Sequence, residues 1–336
     1  MNPNRGGEAE DAHRVTEPAV NPLSACQVAF STLDMAGTMA WYRDVFGFVD
    51  SGSNPGQGGE DVAAMQGLPE ARLDMAWLVD AQDFFQLEFF QYTAPAPRPR
   101  PAASSWSDIG YVAVGIHVGD FDETLTRLRR LGAEPVTATA GSAPGRRVLV
   151  QDPEGVLIEV MEDDVRRRGG GLPRVSRPSV AVMTRFVRVV VPDVADAVDY
   201  FGASLGLPSA DPAVSGPAHA TVWEHDDSVE SAAFWAGDFL IEVVHYTDGR
   251  SRPRPDDYRL SDQGLMNVAL GSRSVDDYRH VVAGLGPAVR SYQETHLGPA
   301  VVRYVADRHD LSVEVLAIPD PEIERAAGFA PSALPG

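Results

Sequence analysis

The stretch QLEFFQYT at residues 86–93 recurs as LIEVVHYT at residues 240–247. Each copy runs into an Arg-Pro strap, RPRP, at residues 98–101 and again at residues 252–255. A Ser-Asp-x-Gly segment and a new apolar run follow each strap, and corresponding positions lie 154 residues apart. A repeat of this length determines the architecture before any local pattern does. The sequence therefore predicts two duplicated halves.

Four units with one pattern, strand, helix and further strands, lie in order along these halves. The first opens with the strand-like CQVAFSTLD and continues as MAGTMAWYRDVFGF, whose apolar residues recur at helical spacing. Asp34 is the predicted N-cap of that helix and Gly47 its stop. The second unit closes with RVLVQDPEGVLIEVME, a predicted hairpin with its turn at residues 152–155. Each half thus contains two modules.

The predicted organisation has five segments: a disordered leader over 1–22, a first domain of two modules over 23–163, a linker over 164–183, a second domain of two modules over 184–318, and a tail over 319–336. The leader is polar and rich in Gly, Pro and Glu, a composition typical of disorder. In the linker, Arg166, Arg167 and Arg168 stand beside three glycines. A solvated linker is the favoured interpretation of this run, and an anion patch is the alternative.

Composition excludes several function classes. The formal net charge of −20 argues against nucleic acid or an anionic membrane as a partner. All 28 cationic side chains are arginine, so Schiff-base chemistry and a P-loop are excluded. Cys26 is the single cysteine, which rules out an intrachain disulfide and a cysteine-based zinc cluster. No apolar stretch reaches the roughly 18 residues of a membrane span. We expect a cytoplasmic monomer or homodimer.

The segments WYRDVFGF at 41–48 and DPEGVLIEVME at 152–162, with their counterparts in the second half, resemble the vicinal oxygen chelate superfamily over about residues 25–318. That superfamily includes glyoxalase I, bleomycin-binding proteins, fosfomycin-modifying enzymes and extradiol dioxygenases. The resemblance implies an α+β fold of four βαβββ modules paired into two open barrel-like, glyoxalase-like domains. Modules one and two would form the first domain, and modules three and four the second. It also implies a divalent metal in the cleft, held by first-strand histidines and last-strand glutamates.

Residue by residue, the implied metal site is degraded. The first-strand ligand position, seven residues before each helix cap, holds no histidine in any module: Gln27, Ala113, Phe186 and Asn267. The last-strand carboxylates are all present: Glu88, Glu159, Glu242 and Glu314. Period-two alternation predicts that they point into the clefts, and a solvated outer face is the alternative. We therefore predict no cofactor, and a divalent metal held by Gln27, Glu88 and Glu159 is the less favoured interpretation.

The predicted catalytic residues belong to the first cleft. Glu88 or Glu159 would be the base and Gln27 a hydrogen-bond donor, with His117 as a partner acid or, equally, a histidine bonded to a loop. The predicted substrate-binding residues come from both halves: Ser31, Phe90, Tyr92, Arg188, Glu242, Asn267 and Glu314. For Arg188, neutralising the carboxylates is the favoured role, and binding a substrate carboxylate is the alternative.

Two classes of function remain open. The favoured one is a metal-independent isomerase, lyase or cyclase acting on a small oxygenated or aromatic metabolite. The alternative is a protein that binds an antibiotic or similar small molecule without turnover, as the resemblance to bleomycin resistance proteins implies. A metal-dependent glyoxalase or extradiol dioxygenase ranks third, because an iron site of the latter kind needs two imidazoles and a carboxylate.

Overall fold

A computed structural model describes residues 23–101, 104–172 and 174–331. The predicted leader at 1–22 and the last five residues of the predicted tail lie outside the described residues. None of the helices in the described ranges has the length and apolar character needed to span a membrane.

The first half contains modules one and two. Module one consists of β1 (Ser24–Ser31), α1 (Met35–Phe46), β2 (Val49–Gly58), α2 (Glu60–Gln66), β3 (Arg72–Val79) and β4 (Gln86–Ala94). Module two consists of β5 (Gly110–Val118), α3 (Phe121–Arg130), β6 (Arg147–Gln151) and β7 (Leu157–Met161), and the short helix α4 (Val165–Arg168) follows it.

The second half repeats this order. Module three consists of β8 (Val182–Val190), α5 (Val194–Ala197) running into a π-helical turn (Val198–Ser204), β9 (Ser209–Ala210), a 3-10 turn (Pro212–Ser215), α6 (Pro217–Val222), β10 (Val229–Ala236) and β11 (Phe239–Tyr246). Module four consists of β12 (Gly264–Ser272), α7 (Val275–Gly284), β13 (Arg290–Ser291), β14 (Thr295–Leu297), β15 (Ala300–Ala306) and β16 (Ser312–Ala317), and α8 (Pro321–Ala326) follows it.

The first helix begins and ends where the sequence predicts. The Asp34 carboxylate accepts a hydrogen bond from the Gly37 amide at 3.0 Å, and Asp120 caps α3 in the same way at 2.9 Å. Such caps satisfy amide groups that have no partner inside the helix. Gly47 ends α1 with φ +83°, a left-handed conformation that glycine adopts without strain. Local sequence therefore determines each module.

The strands form two open sheets, which confirms the predicted α+β class with four modules. Sheet A has the order β13-β15-β16-β12-β1-β4-β3-β2, and β14 pairs with β15. Sheet B has the order β6-β7-β5-β8-β11-β10-β9.

The predicted pairing of modules is wrong. In sheet A, β1 of module one pairs antiparallel with β12 of module four. In sheet B, β5 of module two pairs antiparallel with β8 of module three. Each sheet thus takes one module from each half, so the two sheet-forming units are not the domains expected at 23–163 and 184–318. The sequence separation of the modules is compatible with either pairing, β1 with β5 or β1 with β12. Both arrangements join the first strands of two modules.

The outer faces of both sheets share one apolar core with the helices. Leu87 and Phe89 of sheet A and Ile116 and Ile158 of sheet B belong to the same buried cluster. Since side chains alternate along a strand, Glu88 lies on the opposite, concave face of sheet A. The carboxylates therefore point away from the helices, as predicted.

The predicted linker and tail are more ordered than the sequence suggests. In the linker, buried Asp164 forms an ion pair with buried Arg185 at 2.9 Å. Arg166 contacts Asp238 at 3.0 Å and lies over the Trp235 ring, so this arginine is docked, whereas Arg167 and Arg168 are exposed. After α8, the Phe329 ring stacks on Phe84 with centroids 4.6 Å apart. Both segments are packed onto the sheets.

We expect the two halves to be unable to fold independently. Separately expressed, residues 1–172 and 173–336 should aggregate or self-associate, because β1, β5, β8 and β12 would each lose a partner strand and expose an apolar edge. Co-expressed, they should form a 1:1 complex with the circular dichroism of the intact chain. Size-exclusion chromatography with light scattering measures both results. A half that stays a folded monomer by itself would contradict the cross-pairing.

Candidate functional site

Cleft A is the concave face of sheet A, built by modules one and four. Its centre holds Gln27 on β1, Glu88 on β4, Asn267 on β12 and Glu314 on β16. The strand register brings them together symmetrically: Ala29 is the partner of both Asn267 and Glu88, and Ala269 the partner of both Gln27 and Glu314. All four side chains are buried. Cleft A thus joins the first-strand and last-strand positions of two modules.

Hydrogen bonds bring the two carboxylates of cleft A to one amide. Gln27 Nε2 donates directly to Glu88 Oε2 and lies 3.4 Å from Glu314 Oε2. Gln86 Nε2 donates to Gln27 Oε1 at 2.9 Å, which fixes the orientation of that amide. Trp77 Nε1 donates to the other oxygen of Glu88 at 2.8 Å. The carboxylates are therefore close together and share a donor.

Burial of these neighbouring carboxylates favours a proton in cleft A near neutral pH. Burial, reinforced by the charge of Glu314, raises the pKa of Glu88 well above its ordinary value. Burial raises the pKa of Glu314 to about 7, against an opposing hydrogen bond from Tyr304. Two carboxylates in a poorly solvated site do not both ionise readily. The pair is thus suited to exchanging one proton with a bound molecule.

Asn267 is the unsatisfied member of the cluster. It is fully buried beside Tyr304, whose hydroxyl interacts with it, yet neither its amide nitrogen nor its amide oxygen makes a well-formed hydrogen bond among the described residues. An incompletely paired buried amide is costly, so a bound water, ion or ligand would stabilise it. Asn267 therefore offers hydrogen-bonding capacity beside the carboxylate pair.

Apolar residues and two short helices enclose cleft A. Phe90 and Tyr92 belong to a buried cluster at one end, against which Val62 and Ala63 of α2 pack. At the other end Met65 of α2 packs in a cluster with Phe329. The other polar groups there are engaged: Tyr92 Oη donates to Gln66 at 3.1 Å, and Ser31 Oγ donates to the Ser261 carbonyl at 2.8 Å. These segments cover the carboxylate pair.

Cleft B is the concave face of sheet B, built by modules two and three, and is filled by protein side chains. His219 on α6 bridges its two carboxylates, with Nδ1 2.7 Å from Glu159 and Nε2 2.6 Å from Glu242. Arg147 contacts Glu159 at 3.0 Å, and Arg188 contacts Glu242 at 2.7 Å. Every one of these residues is buried. A substrate would have to displace this network.

Charge in cleft B is balanced internally. Burial alone would lower the pKa of His219, but the charges of Glu159 and Glu242 outweigh it and raise that pKa to about 9. Burial alone would raise the pKa of Glu242, but the charges of Arg188 and His219 outweigh it and lower that pKa. The His219 imidazolium and the guanidiniums of Arg147 and Arg188 thus form an ion network with three carboxylates, those of Glu159, Glu242 and Asp163. Such networks are structural unless a ligand replaces one member.

Several predicted residues therefore lie apart from where the sequence placed them. Glu159 and His117 belong to sheet B, so neither shares a cleft with Gln27 and Glu88. The metal set Gln27, Glu88 and Glu159 is thus wrong. His117 pairs with Met161 and Met183, and burial lowers its pKa. Arg188 and Glu242 bind each other in cleft B, which is the neutralising role favoured for Arg188. Asn267 and Glu314 join cleft A.

The sequence missed the aromatic donors and His219. Trp77 is the cross-strand partner of Glu88, and Tyr304 that of Glu314. Counting back along each hairpin from the glutamate would have found them. His219 lies on a helix, although AHATVWEH resembles a strand. The duplication offers a signal here, because α6 follows the first helix of module three as α2 follows that of module one.

One group of side chains has metal-ligand spacing without offering a cation site. His219, His225 and Glu242 have ligand atoms within 4.8 Å of one another. The Arg188 guanidinium lies among them, 2.8 Å from His225 and 2.7 Å from Glu242. A second positive charge would be repelled there.

Comparison with known proteins agrees with this architecture. The family described as Glyoxalase/Bleomycin resistance protein/Dioxygenase superfamily matches residues 26–160. Glyoxalase I from Zea mays superposes with a TM-score of 0.58 at 13% identity, covering 91% of this chain and 96% of that chain. A putative dioxygenase from Bacillus subtilis superposes with a TM-score of 0.60 at 11% identity, covering 94% and 93%. No curated protein matches significantly. At these identities the superpositions show a shared fold only.

Proposed function

The chain belongs to the glyoxalase/bleomycin resistance protein/dioxygenase superfamily through residues 26–160, and on that premise we propose that it is a proton-transfer enzyme of the isomerase or lyase type. Its substrate would be a small oxygenated metabolite bound in cleft A. The observation that carries the proposal is the buried pair Glu88 and Glu314, both joined to Gln27 Nε2. In cleft B, by contrast, both carboxylates are bound by cationic side chains, Glu159 by Arg147 and His219, and Glu242 by Arg188 and His219.

The chemistry follows from the protonation of the pair. Burial raises the pKa of Glu314 to about 7 and, with the charge of Glu314, raises the pKa of Glu88 well above its ordinary range, so the pair can take up and release a proton near neutral pH. The ionised member can remove a proton from a carbon next to a carbonyl, and the protonated member can return one. Asn267 Nδ2, which makes no well-formed hydrogen bond among the described residues, can donate one to the oxygen on which charge develops.

A second candidate, a metal-assisted form of this activity, is favoured by the donor set. Two carboxylates and the amide oxygen of Asn267 are the hard ligands that Mg²⁺ and Mn²⁺ prefer. Asn267 Oδ1 fits a ligand of this kind. Glu88, Glu314 and Asn267 would hold the ion, and a bound ion would polarise a substrate oxygen. Iron or zinc would lack the imidazole and thiolate ligands they favour.

Solvent exchange tests the proposal whatever the final product is. The protein is incubated in D₂O with a panel of hydroxyketones, hydroxyaldehydes and aromatic ketones, and loss of the α-proton signal is followed by NMR. Exchange that the double variant Glu88→Gln, Glu314→Gln abolishes supports the proposal. Ligands that bind with slow, variant-independent exchange would instead establish a binder without turnover.

Chelation decides between the two forms of the activity. After dialysis against EDTA, the metal-independent enzyme should exchange protons at an unchanged rate, and added Mn²⁺ should have no effect. Loss of exchange that Mn²⁺ restores, with stoichiometric metal by mass spectrometry, would contradict metal independence and favour the second candidate. Asn267→Ala should then weaken Mn²⁺ binding, which isothermal titration measures independently of activity.

A further inference from the structure

The two Arg-Pro straps are held by reciprocal ion pairs between the halves. The Arg98 guanidinium donates to both carboxylate oxygens of Asp262, at 2.9 and 2.5 Å. Arg252 binds Asp108 in the same way, at 2.8 and 2.7 Å. Arg98 and Arg252 are 154 positions apart, as are Asp108 and Asp262. The straps therefore face each other across an approximate two-fold axis.

The second arginine of each strap has no carboxylate partner among the described residues. Arg100 Nη1 donates to the Gly155 carbonyl at 2.9 Å, and Arg254 Nη1 donates to the Asp310 carbonyl at 2.8 Å. Within the described ranges neither side chain forms a salt bridge, so the remaining guanidinium N–H groups of both stay available. Burial lowers the pKa of Arg100 although the charges of Asp108 and Asp152 act in the opposite direction, so this cation is partly desolvated and forms no direct ion pair among the described residues. An anion would relieve this cost.

A cleft of about 420 Å³ lies between the straps and is lined by both of these arginines. Its volume falls in the range of small-molecule sites. All four strap arginines line it, against three aspartates, a local excess of one positive charge in a chain of formal net charge −20. Tyr111 and Leu265 provide apolar surface in the same wall. None of the lining residues belongs to the polar centre of cleft A or to the ion network of cleft B.

We propose that the cleft between the straps binds a small dicarboxylate with an apolar middle. Each unpaired guanidinium would take one carboxylate, and guanidinium is the cation best shaped for bidentate binding of that group. The apolar wall would contact the carbon chain between them. Because Gly110 and Gly264 begin β5 and β12 beside this cleft, the ligand would also connect the two sheets. This site does not depend on the activity proposed for cleft A.

Calorimetric titration of the full-length protein with adipate at low ionic strength tests the site. Adipate should bind with 1:1 stoichiometry and raise the melting temperature. Hexanoate, which has one carboxylate, should bind with an affinity at least about tenfold lower. Arg100→Gln and Arg254→Gln should each reduce adipate affinity to the level of hexanoate. Arg100→Lys should recover part of it, since charge is kept and the bidentate geometry lost.

Controls separate this site from general attraction to arginine. Arg279→Gln removes an equally charged but exposed side chain on α7 and should leave adipate binding unchanged. An equal loss in Arg279→Gln, or no saturable adipate binding, would overturn the proposal. Saturable binding of inorganic phosphate but not of adipate would overturn the assigned ligand class. Melting curves of the variants without ligand confirm that they are folded.

Discussion

Replacing Glu314 with glutamine is expected to abolish proton exchange while making the protein more stable at pH 8. Loss of the acid-base group should reduce the exchange rate about 10²- to 10⁴-fold. Glutamine keeps the shape of the side chain and retains an acceptor for Tyr304, so the packing of cleft A should persist. Gain of stability with loss of activity is the expected behaviour of a residue placed for function rather than for folding.

The sign of the stability change follows from the titration of Glu314. Its pKa rises from an ordinary value of 4.5 to about 7 in the folded protein, so the folded state binds the proton more tightly than the unfolded state does. The corresponding stability is fully present below pH 4.5 and is lost as the pH rises through 7. In the native protein this loss amounts to about 3 kcal/mol. Glu314→Gln removes the ionisation and with it the loss.

Urea denaturation at pH 5 and pH 8 measures the effect. Native protein should be less stable at pH 8 than at pH 5, and Glu314→Gln should show a smaller difference. Glu322→Gln, which removes an exposed carboxylate from α8, is the matched control and should follow the native protein. Full exchange activity in Glu314→Gln would refute its role as an acid or base. A variant that is less stable at pH 8 would refute the raised pKa.

His219→Ala is expected to cause the largest loss of stability of any single substitution discussed, about 3–5 kcal/mol. The substitution removes the cation between Glu159 and Glu242, so the repulsion between these two buried carboxylates is no longer compensated by the imidazolium. It also opens a cavity under α6. Proton exchange by the molecules that remain folded should be unchanged, because cleft A lies on the other sheet. His280→Ala, an exposed histidine on α7, is the control and should be neutral.

The pH dependence identifies His219 separately from Glu314. Its pKa of about 9 in the folded protein exceeds the ordinary 6.5, so its stabilising contribution is present below pH 6.5 and is lost as the pH rises through 9. Urea midpoints between pH 7 and pH 9.5 should therefore fall in the native protein and fall less in His219→Ala. A variant with native stability would show that the network contributes nothing. A parallel decline in both proteins would place the titration elsewhere.

The sequence predicted the modules well because their signals are local. A cap such as Asp34 acts on an amide three residues away, and alternation along β4 determines the face of Glu88. Pairing between modules is different, since β1 could join β5 or β12 with equally suitable apolar faces. The outcome depends on how straps and turns meet in three dimensions, as in the contact between Arg98 and Asp262. The hydrophobic periodicity of the sequence does not predict that contact.

The candidate site was predicted in part for the same reason. Gln27, Glu88, Asn267 and Glu314 were each singled out by position in their own module, which is independent of how the modules pair. Which of them meet depended entirely on the pairing, so Glu159 was grouped with the wrong partners. His219 could not be found by ligand spacing, because it comes from a helix that fills cleft B rather than from a sheet strand.

The cross-pairing of modules gives the duplication an evolutionary meaning. An ancestor with the length of one half could have built both sheets only as a symmetric pair of subunits, and each mutation would then have altered both clefts at once. Fusion into one chain removed that constraint. Gln27 and Phe186 are descendants of one position, as are Asn267 and Ala113, yet one of each pair lies in cleft A and the other in cleft B. Cleft B was thereby free to become a structural ion network, while cleft A kept its pair of carboxylates.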